Sequence, residues 1–172
     1  LAALAVLASP DDTRSRGRDL DAEVRANYLY KFTPFVTWPA SAFAGVGSPF
    51  NLCVLGVDPL GSALDEAVRD RQVAGHPIVV RRLPRGDGVS GCHLVYAASA
   101  RGPAGDVLKS VARLPVLTVT EDGSSSANPI VQFTPYRGRL RFKVDVAAAQ
   151  GAGLVMSSQL LALALAEPEG RP

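Results

Sequence analysis

Two cysteines, two histidines and a short ladder of cations are the residues of this chain whose chemistry could reach beyond packing. Cys92 and His93 are adjacent. A thiolate beside an imidazole is how cysteine nucleophiles are built, because the base takes the thiol proton and stabilises the anion. In an oxidising compartment Cys92 could instead pair with Cys53, which would remove that nucleophile. In a reducing one both would be small buried residues. His76 and His93 lack the i, i+4 spacing of a helical zinc site, so no metal site is expected. Ser124, Ser125 and Ser126 lie in a loop without a nucleophile elbow. The turn "LGVDPLG" carries neither G-x-G-x-x-G nor a P-loop, and no cofactor is expected. Asp58, within it, lacks the acidic partner and later phosphoacceptor that receiver chemistry needs. The residues read as a non-enzyme, with catalysis through His93 the weakest alternative.

Arg139, Arg141 and Lys143 alternate with Leu140, Phe142 and Val144, which gives one charged and one buried strand face. The charged face suits a carboxylate, a phosphate or an acidic partner. It would serve equally well as the solvated face of an edge hairpin.

The elements that must position these residues fit one domain, since 172 residues with 47% hydrophobic and 20% charged content are enough to bury a real core. A net charge of +2, with the cations scattered, argues against nucleic acid. Arg81, Arg82 and Arg85 form the densest group, and they read as a solvated strand end. The opening "LAALAVLASP" resembles the tail of a secretory h-region, with Val6 and Ala8 as a small-residue cleavage signal and a mature start near Ser9. A frayed apolar N-terminus is the alternative. The run is too short to span a bilayer.

From Leu20 the spacing predicts a helix whose apolar face is Leu20, Val24, Tyr28, Phe32, Phe35 and Val36, with Arg25 and Lys31 off it. Asp19 or Asp21 is the expected cap. Pro34 predicts a kink or an early end, and Pro39 keeps the helix from passing Thr37. Tyr28, Phe32 and Phe35 should be core. Trp38, closing "YLYKFTPFVTWP", should aim its indole out of the helix and do something beyond filling space.

Further on, "FNLCVLG", "IVVRRL", "CHLVYAA" and "PVLTVTE" read as strands. "VDPLGSALDEAVRD" and "GPAGDVLKSVARL" read as helices, an alternation whose natural solution is a parallel sheet. "IVQFTPYRGRLRFKVD" reads as two strands turning at Arg137 and Gly138, followed by a short helix in "VAAAQGAG" and a last one capped by Ser157 or Ser158. If the strands holding Cys53 and Cys92 are neighbours, their Cα atoms lie about 5 Å apart, within disulfide range. Closing a loop of about 40 residues would stabilise the fold by roughly 4 kcal/mol.

Several segments in order, "VRANYLYKFTPFVTWP", "FNLCVLGVDPLGSALD", "GHPIVVRRL", "GCHLVYAA", "LPVLTV", "IVQF" and "GRLRFKVDVAAAQGAGLVMSSQLLALA", resemble the YfiR family of small exported bacterial proteins. The match covers nearly all of the chain after Arg18. It implies a periplasmic, homodimeric α/β protein that regulates rather than catalyses. Such a protein binds the periplasmic domain of a membrane diguanylate cyclase and holds it inactive, until an outer-membrane lipoprotein relieves the repression. That function lowers cyclic-di-GMP and biofilm formation. Cys53 and Cys92 match the positions of one family disulfide. A second Cys pair that some members carry around "EDGSSSANPIVQF" has no counterpart here. Arg139, Arg141 and Phe142 match the family's "RF" strand and, with Trp38, are the expected partner or ligand contacts.

The resulting expectation is a single three-layer, Rossmann-like α/β domain with a mostly parallel sheet and a C-terminal antiparallel hairpin. It spans 19–166, after a residual signal peptide and disordered N-terminus (1–18) and before a tail (167–172). A periplasmic small-molecule-binding protein, with its cleft near Gly56 to Gly61 at the C-terminal strand ends, is the alternative.

Overall fold

Pro34 decides where the first helix ends. Lacking an N–H and crowding the preceding turn, it cannot continue an α-helix. α1 (Pro10–Phe32) therefore stops two residues earlier and gives way to a 3₁₀ turn over Thr33–Phe35. The structure, a computed structural model, describes residues 10–84, 86–121 and 127–165. Residues 1–9, which hold the candidate leader remnant, and 166–172 lie outside the described residues.

The helix differs from its expected form in two ways. Its described part runs from Pro10, so residues 10–18 are helical. Asp19 and Asp21 then lie inside the helix and do not cap it. Its buried row is also rotated: Ala26, Leu29 and Phe32 are fully or almost fully buried, while Leu20 and Val24 are 61% and 43% exposed. Small residues at 22 and 26 let this side of the helix lie close to its neighbours, so the close-packed face is the one the large side chains did not mark. Arg25, expected to face solvent, turns inward to Glu121, with Nε 2.9 Å from Oε1.

The remaining elements are β1 (Val36–Thr37), β2 (Phe50–Leu55), α2 (Ser62–Val68), β3 (Gln72–Val73), β4 (His76–Leu83), β5 (Leu94–Ala97), α3 (Pro103–Ser110), β6 (Leu117–Glu121), β7 (Val131–Tyr136), β8 (Arg139–Val144), α4 (Val146–Gly151), β9 (Val155–Met156) and α5 (Ser158–Leu163). Seven strands form one mixed sheet in the order β3-β4-β2-β5-β6-β7-β8. The pairings from β4 to β7 are parallel, and an antiparallel pairing closes each edge. The protein is thus a mixed α/β fold. Both edge hairpins turn over two residues with positive φ, Ala74-Gly75 and Arg137-Gly138. That geometry matches the twist of the flanking strands and suits glycine at the second position. A two-stranded sheet, β1 with β9, joins the end of the first helical segment to the C-terminal region. The short β1, β3 and β9 have too few residues for a period-two pattern to be read from sequence.

Because side chains alternate across a strand, the sheet has two cores. Leu52, Val54, Leu94, Tyr96, Leu117, Val119, Val131 and Phe133 face α1, α2 and the C-terminal helices. Cys53, Leu55, Val95 and Ala97 face α3, through Leu108 and Val111. The first core contains an aromatic cluster in which Phe32 lies 4.9 Å from Phe142 and 5.9 Å from Phe133, with Tyr28 against all three. Burying each of these rings contributes about 1.5–3 kcal/mol.

The rotated helix face is directly testable. Phe32→Ala should lower the unfolding free energy by about 3–5 kcal/mol, whereas Leu20→Ala should change it by no more than about 0.5 kcal/mol. Urea unfolding of the two variants checks this, and equal losses would mean that α1 packs through its other face.

Candidate functional site

His93 precedes β5 by one residue, and the β2–β5 register of Leu52 with Leu94 sets it opposite Asn51. Its main-chain N–H donates to the Asn51 carbonyl at 2.9 Å, and its own carbonyl accepts from Leu117 N at 2.9 Å. The same carbonyl accepts from the Trp38 indole Nε1 at 3.1 Å. The ring is bonded at both ends: Nδ1 accepts from the Asn51 N–H at 3.0 Å, and Nε2 donates to the Ala42 carbonyl at 2.9 Å. These partners define a neutral imidazole with its proton on Nε2, since a carbonyl can only accept and an N–H can only donate. Burial, reinforced by His76 and opposed by the Ala42 carbonyl, holds its pKa below the ordinary histidine value.

His93 is also a member of a stack. The His76 ring lies 3.8 Å from Phe43, Phe43 lies 4.7 Å from His93, and His93 lies 5.1 Å from Phe50, all close to parallel. Trp38 meets Phe50 edge-on at 4.9 Å. His76 Nδ1 donates to the Ser48 carbonyl at 2.7 Å. The stack fastens the segment 38–49 across the N-terminal ends of β4, β2 and β5. Trp38 is 8% exposed, so the indole is folded back onto the sheet rather than projecting. With Tyr30, Val36, Phe43 and Val73 it walls a hollow of about 320 Å³.

Cys53 and Cys92 are joined, with their Cα atoms 6.0 Å apart. The bridge runs from β2 to the turn before β5 rather than directly across two strands, because Cys53 pairs with Val95. Asn51 Nδ2 donates to the Gly91 carbonyl at 2.8 Å, and Arg81, level with Cys53 on β4, donates to the Gly88 carbonyl at 2.8 Å. Each side of the turn is therefore held. A Cys92 thiolate beside His93 does not exist in this state: the sulfur is in the bridge and both ring nitrogens are bonded to main chain.

The C-terminal strand ends hold two ionic groups that the sequence did not reveal. Arg82, expected to be solvated, donates to Asp58 and Asp65, each at 2.7 Å, and to the Gly61 carbonyl at 2.9 Å. Hydrogen bonds to Asp65 and then Asp58 raise its pKa further. Asp58 in turn accepts from Leu60 N and Gly61 N. The Gly56–Gly61 turn, the alternative ligand cleft, is thus drawn onto Arg82. The second group is partly buried: Tyr96 Oη donates to Glu121 at 2.7 Å, and Arg25 reaches the same carboxylate oxygen. Burial first, then Glu121, pushes the Tyr96 pKa up.

Of the expected contact residues on β8, Arg139 is exposed and Arg141 donates to the Leu163 carbonyl at 3.2 Å. Phe142 is 3% exposed and packs against Phe32, so its side chain belongs to the core. Alternation leaves Arg139, Arg141 and Lys143 as the other face, flanked by Arg137 over the Tyr136 ring. Among the described residues none of these four cations has a carboxylate partner.

Among the described residues no three His, Cys, Asp or Glu side chains converge as metal ligands, and no helix is long and apolar enough to cross a membrane. The sequence model of the YfiR/HmsC-like family matches residues 22–165. The chain belongs to the YfiR/HmsC-like family. No curated protein matches it. The matched span takes in the histidine stack, the disulfide and the basic hairpin, so all three belong to the YfiR/HmsC-like domain. With two cysteines in the chain, this member has one bridge to rely on.

That bridge should matter for stability. Closing a loop of 39 residues predicts that Cys53→Ala/Cys92→Ala lowers the unfolding free energy by about 4 kcal/mol. Urea titration of the variant, and of the native protein with and without a reductant, measures it. A loss below about 1 kcal/mol would mean that the unfolded chain is already restricted between these two positions without the bond.

Proposed function

We propose that this chain is a periplasmic regulatory protein that binds the periplasmic domain of an inner-membrane diguanylate cyclase and holds it inactive. In doing so it lowers cyclic-di-GMP and biofilm formation. Membership of the YfiR/HmsC-like family supports the class of function. The observation that carries it is the engagement of the reactive groups in structure. The two sulfurs bond each other, both His93 nitrogens bond main chain, and Asp58 and Asp65 bond Arg82. A molecule arranged in this way acts through its surface.

The surface we favour is the β7–β8 hairpin, where Arg137, Arg139, Arg141 and Lys143 present positive charge with no carboxylate partner among the described residues. A charged patch of this kind steers encounter with an acidic partner and suppresses wrong ones. On this reading the protein works as a homodimer, and an outer-membrane lipoprotein that binds the same protein would relieve the repression.

A periplasmic small-molecule sensor is the second reading. It is supported by a hollow of about 520 Å³ between the 58–63 segment and residues 18–23 of α1, beside the C-terminal strand ends. The bonds from Arg82 already engage the polar groups of that turn, which favours the first reading.

Binding between the purified protein and the cyclase's periplasmic domain, measured by interferometry, tests the proposal. Arg139→Glu/Lys143→Glu should raise Kd by at least about tenfold while leaving far-UV circular dichroism unchanged. An unchanged Kd would remove the hairpin from the interface, and absence of binding by the unmodified protein would sink the regulatory reading.

A further inference from the structure

The only two histidines of the chain, His76 and His93, stand on opposite faces of one ring, Phe43. Histidine is the side chain whose ordinary ionisation falls between pH 5 and 8. Both such groups are therefore in the one stack that fastens segment 38–49. We propose that segment 38–49 is a pH-released latch, held shut by neutral His93 and freed when that imidazole takes up a proton. The inference concerns the isolated protein and holds whether or not the cyclase reading does.

The hydrogen bonds dictate the direction. Nε2 already carries a proton, donated to Ala42, so the incoming proton must go to Nδ1. There it would face the Asn51 N–H at 3.0 Å, turning an attraction into a meeting of two donors. The groups around the ring cannot absorb the charge. Segment 38–49 contributes Trp38, Ala42 and Phe43, β2 contributes Phe50 and Asn51, and β6 contributes the Leu117 amide; all are uncharged. β4 contributes His76, whose coulombic influence on His93 opposes a charge there. The Phe43 and Phe50 faces attract a cation, but they offer Nδ1–H no acceptor, and a charged donor left buried without one costs more than that attraction returns. Once Nδ1 is protonated, the ring is better solvated outside the stack than in it.

Release would be local. The main-chain bonds of His93 to Asn51 and Leu117 do not involve the ring, and the disulfide one residue earlier does not titrate in this range. Strands β2, β5 and β6 therefore stay paired, while Ala42 and Phe43 lose their anchor. Trp38, the first residue of the segment, keeps its indole bond to the His93 carbonyl, but it shares the wall of one hollow with Phe43 and would gain solvent as Phe43 moves.

A base with a depressed folded pKa binds more protons in the released state, so the latch is secure above the ordinary histidine value of 6.5 and weakens as pH falls below it. Trp38 is the only tryptophan, so its emission reports the event without labelling. Between pH 7.5 and pH 4.5 we expect a reversible red shift, with a midpoint below about 6.5 and an unchanged far-UV circular dichroism spectrum. His93→Gln should abolish the shift. His76→Gln should keep it and move the midpoint to higher pH, because the coulombic opposition of His76 to a charge on His93 has gone. Absence of a shift, its survival in His93→Gln, or a far-UV loss with the same midpoint would each overturn the proposal. Should His93→Gln not fold, NMR titration of the two imidazoles in the unmodified protein decides: the His93 resonance must share the midpoint of the emission change, and a different midpoint overturns it.

Discussion

The architecture depends on one peptide, Gly91-Cys92-His93, and on how it is joined to β2. Three successive residues each engage that strand: the Gly91 carbonyl takes the Asn51 side chain, Cys92 bonds Cys53, and His93 exchanges hydrogen bonds with the Asn51 main chain through both backbone and ring. The His93 carbonyl then accepts from Leu117, which sets the start of β6, and from the Trp38 indole, which sets the chain leaving the first helical segment. Leaving a buried donor or acceptor unpaired costs about 1–3 kcal/mol, and this one residue satisfies groups from four others, Trp38, Ala42, Asn51 and Leu117. The alignment of the parallel strands at their N-terminal ends is a consequence of that peptide's placement.

The two ends of the sheet are finished by different physics. At the N-terminal ends the closure is a stack of rings, apolar in body and tipped with main-chain hydrogen bonds. At the C-terminal ends it is ionic, with Arg82 gathering Asp58 and Asp65, and Arg25 reaching down from α1 to the carboxylate that also holds Tyr96. Arg82 is partly exposed, so its pairs are screened and act mainly to fix the 56–61 turn. The Tyr96–Glu121–Arg25 group lies deeper and fixes the angle at which α1 crosses the sheet. The edge strand β8 is treated differently again: Leu165 N donates to the Phe142 carbonyl and Tyr28 Oη lies 3.4 Å from the Leu140 carbonyl, so its free edge is covered in part. Edge coverage of this kind blocks unwanted strand addition and leaves the cationic face as the open surface.

Much of this is legible in the sequence. The order of strands and helices, the hairpin at Arg137-Gly138, the Ser157 cap and the segments holding the disulfide all follow from short-range patterns: alternation, turn residues and capping. What failed depended on long-range partners. The inward face of α1 is marked by two alanines and by a carboxylate 96 residues away, neither of which contributes to hydrophobic periodicity. Phe142 is placed on the buried face by alternation, and its side chain lies there. His93 offered only its adjacency to Cys92, which suggested catalysis. Its structural role rests on Asn51, Ala42 and Trp38, which nothing in the local sequence connects to it. The pairing of β1 with β9 lay below the length at which a strand can be read.

The disulfide and the histidine are neighbours in sequence, but they act on different states of the chain. A disulfide stabilises mainly by restricting the unfolded ensemble, so its removal lowers the stability of the domain as a whole and leaves native contacts nearly unchanged. The His93 ring bonds exist only in the folded state, and what they hold is segment 38–49 rather than the sheet. Redox chemistry at Cys92 and protonation at His93 therefore cannot substitute for each other. The first sets how much of the protein is folded, and the second sets how the folded protein presents one end of its sheet. A member of the YfiR/HmsC-like family with a single bridge has placed both controls within two adjacent residues, where the same Asn51 main chain and the same turn serve them.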